Sequence, residues 1–454
     1  MNNTFKKLLV LLIISSFSSC KVKQKIRDVV IFNDNTPVVI ETIRETTIKE
    51  NKTIFDTIFK GAPTSFTGEF LLKFKDEYTI AIILPLFSDS LNINWINHVN
   101  TDLKDFNIPE ETLLSLSFLE GMIKSLEKNA TDSKLNIKVY DNEASLFHTD
   151  NILAKLAFEN IDFIVGPILS KNIRKVSAFA KKQKIIMISP FSPSISSSND
   201  YENYIMPNPG LDVHLSTISN FIKDSLSKSH IKVLFPNTAK GNKYAFSLEE
   251  ILKSINDSIL KEEDKLTYAL VEVEAKTNDR SKFKMQMYLD DAVNNVVIVL
   301  PAKSGFIHAI LTKLNEQRKD FDITVFGMPN WRDSRTLRLD YFNNLKVHFT
   351  DTKWINENDI ETKKFITTYK EEYNLYPTEG VFFSYDLFNF FTELINKYGM
   401  SIPENIHKET YKGLITNYDF KQTYLNSQNN TPVRIENKAL HVISFEDFKL
   451  HLEK

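Results

Sequence analysis

The sequence predicts an α/β protein of two similar doubly wound lobes. Three observations carry that expectation. Short, unbroken apolar runs rich in β-branched residues alternate with segments whose apolar positions recur every three or four residues. These are the patterns of strands buried on both faces of a parallel sheet and of the helices that cover them. Many of these runs end at proline or glycine, which stop a strand and turn the chain. The alternation occurs twice along the 454 residues, in series of about equal size, and strand–helix–strand units with short connections build right-handed crossovers in one sheet.

In the first series, residues 79–84 are an apolar strand ended by Pro85, and a polar insertion at 88–109 follows. Leu113, Leu114, Leu116, Leu119, Met122, Ile123 and Leu126 recur at helical spacing. Residues 135–140 read as a strand ending at Asp141, 150–159 as a helix, 161–165 as a strand closed by Gly166-Pro167, 170–183 as a helix, and 185–188 as a strand closed by Ser189-Pro190. The second series places strands at 231–235, 266–273, 295–300, 323–326 and 345–349. Helices at 212–226, 244–260, 282–292 and 305–317 separate them.

Ligands of open parallel sheets sit beyond the carboxyl ends of the strands, so the exits are the candidate sites. In the first series these are Pro85-Leu86, Gly166 to Ser170, and Ser189 to Ser194. In the second they are Pro236-Asn237-Thr238, Pro301 to Gly305, and Gly327-Met328-Pro329-Asn330-Trp331. Ser170 and Ser304 stand where they would cap the following helices. Capping is compatible with a ligand role, because N–H groups at a helix start bind carboxylates and other anions.

The N-terminus reads as an address. Lys6-Lys7 precede the apolar run 8–14, and Ser15-Ser16-Phe17-Ser18-Ser19 lead to Cys20. The run is shorter than the ~20 residues a bilayer span needs and fits a signal peptide over 1–19. The small pair before Cys20 resembles a bacterial lipobox, with Phe17 where leucine is usual. Lipidation of Cys20 is favoured over an incidental cysteine. Residues 20–75 are expected to be a tether, in which 29–32 and 38–40 have the character of short strands. Lys21-Val22-Lys23 lacks an acidic export-like run, which points to a periplasm-facing anchor in the cell envelope, with the outer membrane favoured.

The segments 80–87, 116–126, Val139-Tyr140-Asp141, 163–170, 185–192 and 365–394, in this order and spacing, resemble the type I periplasmic binding protein fold and its branched-chain amino-acid receptor-like members, the substrate-binding proteins of ABC transporters. The most specific part is Phe365 to Tyr373 with Pro377 and Ser384-Tyr385-Asp386-Leu387. The segment from Gly413 through Asp419-Phe420, Asn437 and Val442 to Phe445 is similar to the family's closing portion. The resemblance covers about residues 78–450. It implies a three-segment hinge, with one lobe at 76–212 and 351–425 and the other at 213–350 and 426–454, closing on a small polar ligand. It also implies that Ser170 and Ser192 hold a carboxylate and Asp212 an ammonium, with Asn237, Lys240, Asn330 and Trp331 at the second lobe's exits. Lys240 replaces an aromatic of the family and Asn330 an acid, which puts an amino-acid ligand in doubt. A closely similar fold occurs in outer-membrane lipoproteins that activate penicillin-binding proteins. An envelope scaffold or regulator of a cell-wall synthesis enzyme is therefore the alternative.

Other classes fit poorly. The 56 Lys+Arg and 58 Asp+Glu give a net charge of −2, unlike the basic footprint of nucleic-acid binders. A single cysteine excludes an intramolecular disulfide and a cysteine-based zinc site. The nine histidines show no H-E-x-x-H pattern. No G-x-S-x-G, Walker loop or G-x-G-x-x-G is present. The expectation is a binding protein rather than an enzyme, with no cofactor or metal.

Overall fold

A computed structural model of the chain describes residues 29–33, 36–39, 74–88, 109–129, 131–193, 201–274, 284–426 and 429–453. The signal peptide, Cys20 and the insertion carrying Trp95 and His98 lie outside the described residues. The chain forms two units, Met1–Asn208 with Ile355–Lys438, and Pro209–Trp354 with Ala439–Lys454, and passes between them three times.

The first unit opens with β1 (Val29–Asn33) and β2 (Thr36–Val39), an antiparallel pair whose β1 also lies parallel to β4. Part of the segment expected to be tether is thus sheet. The parallel core follows: β3 (Glu77–Leu84), α1 (Glu110–Lys128), β4 (Lys134–Asp141), α2 (Leu146–Leu156), β5 (Phe163–Val165), α3 (Ser170–Gln183), β6 (Ile186–Ile188) and β7 (Tyr204–Met206). The helix expected at 150–159 starts earlier, because the Ser145 side chain accepts the His148 N–H and caps it there.

In the second unit, α4 (Leu211–Ser225), β8 (His230–Pro236), α5 (Ala239–Asp257), β9 (Thr267–Val273), β10 (Asn295–Val299), α6 (Ser304–Gln317), β11 (Ile323–Phe326), α7 (Leu339–Asn344) and β12 (His348–Asp351) follow the expected series with corrections: α5 starts five residues earlier than expected, capped by Thr238, and α7 is an added helix. The helix expected at 282–292 is a single 3-10 turn, Met285–Tyr288, among the described residues. The strand expected at 345–349 begins only at His348, because Leu345 closes the last turn of α7 by donating to Tyr341 O. Among the described residues, a recess of about 540 Å³ is lined by Lys232, Ala269, Val271, Met287, Leu289 and Phe321. It lies against the sheet face and not at the strand exits.

The chain then returns to the first unit through α8 (Ile360–Tyr373), α9 (Glu379–Tyr398), α10 (Ile402–Asn405), β13 (Thr410–Lys412), β14 (Asn417–Asn426) and β15 (Asn429–Asn437). The third crossing falls after Lys438 instead of at 425/426. The reason is pairing: β15 is antiparallel to β14 and parallel to β7, which ties it to the first sheet. Finally β16 (His441–Glu446) and β17 (Lys449–Leu452) join β12. Among the described residues the sheets run β13-β14-β15-β7-β6-β5-β3-β4-β1-β2 and β17-β16-β12-β11-β10-β8-β9. The first is therefore larger than the expectation of equal lobes allowed.

Each sheet is buried by helices. In the first unit, Ile80, Ile82 and Leu84 point into a core with Phe118, Phe382 and Phe391, while Ala81 and Ile83 face a second core with Ile152, Ile173 and Val176. That two-sided burial explains the unbroken apolar run of β3. α1 and α9 cross closely because small residues meet there. A Cβ on Gly121 would lie 2.0 Å from Val381 O, and one on Gly380 2.9 Å from Ser117 Cβ. The Ser384 hydroxyl donates to Phe118 O across the same contact. Gly121→Ala is therefore expected to destabilise the first unit by about 2–3 kcal/mol through overpacking, even though alanine gains about 1 kcal/mol over glycine in a helix. Urea denaturation reads the difference, and an unchanged midpoint would show that the crossing gives way freely.

Candidate functional site

In both units the chain leaves a central strand first to one side and then to the other. In the first, β3 lies between β4 and β5; in the second, β8 lies between β9 and β10. Such switch points leave a crevice beyond the strand ends.

The first unit's exits are organised by Asp141. Its carboxylate accepts N–H groups from Leu86 (2.9 Å), Phe87 (3.2 Å), Ser88 (2.7 Å) and Glu143 (2.9 Å). This network holds Phe87 and Glu143 at positive φ. The Ser115 hydroxyl donates to Pro85 O and fixes α1 under the same loop. In the sequence Asp141 ends a strand and closes the Val139-Tyr140-Asp141 segment, and the Asn142-Glu143-Ala144 that follows it is a turn signal. At the next exit Gly166 has φ +97°, and a Cβ there would sit 2.3 Å from Ile83 O, so glycine is required.

Ser170 and Ser192 are brought together, with hydroxyls 3.1 Å apart. Ser192 is buried and Ser170 is exposed. Ser170 does not cap α3. Leu169 holds the N-cap position and no side chain caps the helix. Ser304 likewise follows its N-cap, Lys303, and meets Thr336 Oγ1 at 3.0 Å. The capping expectation fails for both because each serine is already one residue inside its helix. Phe191 packs edge-on to Phe118 and beside Phe383, and Asn208 Nδ2 donates to Phe191 O, which steadies the loop carrying Ser192.

In the second unit, Asp212 is exposed in the first turn of α4 and accepts from Ser247 Oγ at 2.8 Å. Gly210 is the N-cap of α4. Asn237 and Lys240 are exposed at the exit of β8, where Thr238 caps α5 by accepting from Gly241 N at 3.0 Å. Lys240 Nζ lies 5.7 Å from the ring centre of Tyr244, an aromatic one turn along that sequence reading passed over. Asn330 is exposed, but its neighbour Trp331 is 1% exposed and stacks on Phe342. Its indole fills the space left by Gly327, whose Cβ would lie 2.2 Å from the ring. Trp331 is therefore core rather than a ligand-contacting residue. Nearby, Arg332 and Asp351 form a half-buried ion pair at 2.7 Å.

Among the described residues, no group of three His, Cys, Asp or Glu is placed to hold a metal ion, and no helix is long and apolar enough to cross a membrane.

No family model and no curated protein matches the chain. Solved structures do. A putative branched-chain amino acid ABC transporter protein from Rhodospirillum rubrum is similar with a TM-score of 0.58 and 12% identity, over 83% of this chain and 99% of that one. An ABC transporter substrate-binding protein from Desulfitobacterium hafniense, in complex with Leu, gives 0.55 and 13% over 83% and 99%. The C-domain of LpoA from Haemophilus influenzae, a regulator of PBP1A, gives 0.50 and 12% over 83% and 100%. At such identities the likeness is one of architecture, and with the strand order above it establishes that the chain has the type I periplasmic binding protein fold.

Proposed function

We propose that this chain is a lipid-anchored receptor of the cell envelope that binds a small polar ligand bearing a carboxylate and does no chemistry on it. The observation that carries the reading is the Ser170–Ser192 hydroxyl pair at the start of α3, a helix with no side-chain cap. First-turn N–H groups and two hydroxyls are the donors a carboxylate needs. The likeness to substrate-binding proteins supports a binding role. Amino acids, short peptides and cell-wall fragments are the candidate ligands.

The test is calorimetry of those ligand classes against wild type and the Ser170→Ala/Ser192→Ala double variant. A charge-assisted hydrogen bond is worth about 1.5–3 kcal/mol, so affinity should fall at least tenfold. Equal binding by both proteins would remove the serines from the site. The second reading is a scaffold that regulates a cell-wall synthesis enzyme. It is favoured by the likeness to the LpoA C-domain and by Trp331, expected at a ligand-facing strand exit but buried in the core. Silence in the whole ligand screen, together with co-purification of a peptidoglycan synthase, would select it.

A further inference from the structure

We propose that the amino-end edge of the first sheet is a membrane-contact surface, on which Phe158 enters the headgroup zone of an anionic bilayer and Lys155, Lys181, Lys182 and Lys184 bind lipid phosphates.

Phe158 is 93% exposed, the most exposed aromatic among the described residues. It stands two residues beyond the end of α2. Lys181 and Lys182 occupy the last turn of α3 and Lys184 is its C-cap; all three are exposed, as is Lys155. The two helices lie side by side in parallel. Asn172 Nδ2 donates to Ser145 O and Thr149 Oγ1, and Lys175 pairs with Asp150. Their C-terminal ends therefore meet at one edge. The next strands confirm this, since Phe163 and Ile186 are register partners. Cations at a helix C-terminus also complement its dipole, but that does not account for a bare phenylalanine among them. Cations around an exposed aromatic are the composition of interfacial membrane contacts. The nearby acids Glu159 and Asp162 are engaged by Lys138 and Lys75, and Glu202 remains exposed close by.

Sheet register and chain length identify the occupant. Val29, Ile137, Ile80, Phe163 and Ile186 form one row across the sheet. β1 is parallel to β4, so the chain enters the sheet at the same edge that carries Phe158. Three strand spacings separate β1 from β5, about 15 Å at roughly 4.8 Å each. Cys20 lies nine residues before Val29, a reach of at most about 30 Å. An acyl chain on Cys20 thus holds this edge within reach of the bilayer, and the strand exits with Ser170 and Ser192 face the other way. This inference rests on the lipid anchor proposed above.

Cys20 is the only cysteine, so once it is acylated a Phe158→Cys variant offers a single free thiol for an environment-sensitive dye. The purified lipidated protein is reconstituted in vesicles of phosphatidylcholine with or without phosphatidylglycerol. Dye at 158 should shift to the blue and resist iodide quenching only with phosphatidylglycerol, whereas dye on Ser170→Cys should stay solvated in both. Adding Lys181→Gln, Lys182→Gln and Lys184→Gln should return the 158 signal to its phosphatidylcholine value. Equal quenching in both vesicles overturns the proposal. So does the same shift produced by polyphosphate without vesicles, which would mark a soluble-polyanion site. Failure of the anchor reads out separately, as a Cys20 thiol in the wild type that still reacts with maleimide. In that case sedimentation of the unlipidated protein with phosphatidylglycerol vesicles decides the surface: binding lost with Phe158→Ser sustains it, and no binding ends it.

Discussion

Asp386→Ala should cost the first unit at least about 3 kcal/mol of stability, because it orphans three backbone donors at once. Asp386 is fully buried on α9. Its carboxylate accepts N–H groups from Leu414 (2.8 Å), Ile415 (2.8 Å) and Thr416 (3.0 Å). The same turn is closed by Gly413 N donating to Thr416 O, and a Cβ on Gly413 would lie 2.4 Å from Asp386 Cγ. Each donor left unpaired in the interior costs roughly 1–3 kcal/mol. Burial pushes the carboxyl up to about 7, while the three N–H groups and Lys128 pull it down. Between its ordinary value and 7 the folded chain therefore binds more proton than the unfolded chain. Stability from this group is fully present below the ordinary carboxylate range and is lost as pH rises through 7. Urea denaturation across pH 4–8 should show that fall in the wild type and a flatter profile in Asp386→Asn. A parallel profile in the two proteins would mean that Asp386 is ionised throughout.

Cys20→Ala should convert a membrane-bound protein into a released one with its fold intact. The expectation follows from the run Lys6 to Cys20. Each buried methylene of an acyl chain is worth about 0.8 kcal/mol, and a single chain anchors only reversibly, so two or more chains make the loss nearly complete. Any residual association of the variant should be salt-sensitive, as expected if Lys181, Lys182 and Lys184 touch anionic lipid. Fractionation with metabolic lipid labelling decides the matter. Wild type without label, or a variant that stays with membranes in high salt, would defeat the anchor.

The sequence alone determined most strands and helices of the two parallel cores, though not β7, α7 or the 3-10 turn at Met285–Tyr288. Two-sided burial forces runs such as Ile80 to Leu84 to be apolar throughout, and a half-buried helix forces the spacing of Leu116 to Leu126, so composition and period report them directly. It also determined the loops at the strand exits, because proline and glycine act through local backbone geometry. Tertiary structure decided what depends on partners distant in the chain. β15 went to the first sheet because its backbone pairs with β7 and β14. Trp331 went to the core because Gly327 and Phe342 leave room for it. Asp212 found Ser247, and Ser170 found Ser192 across a separation of 22 residues. A side chain's periodicity states which face it occupies, but only the packed fold states whether that face meets solvent, a neighbouring helix or another polar group.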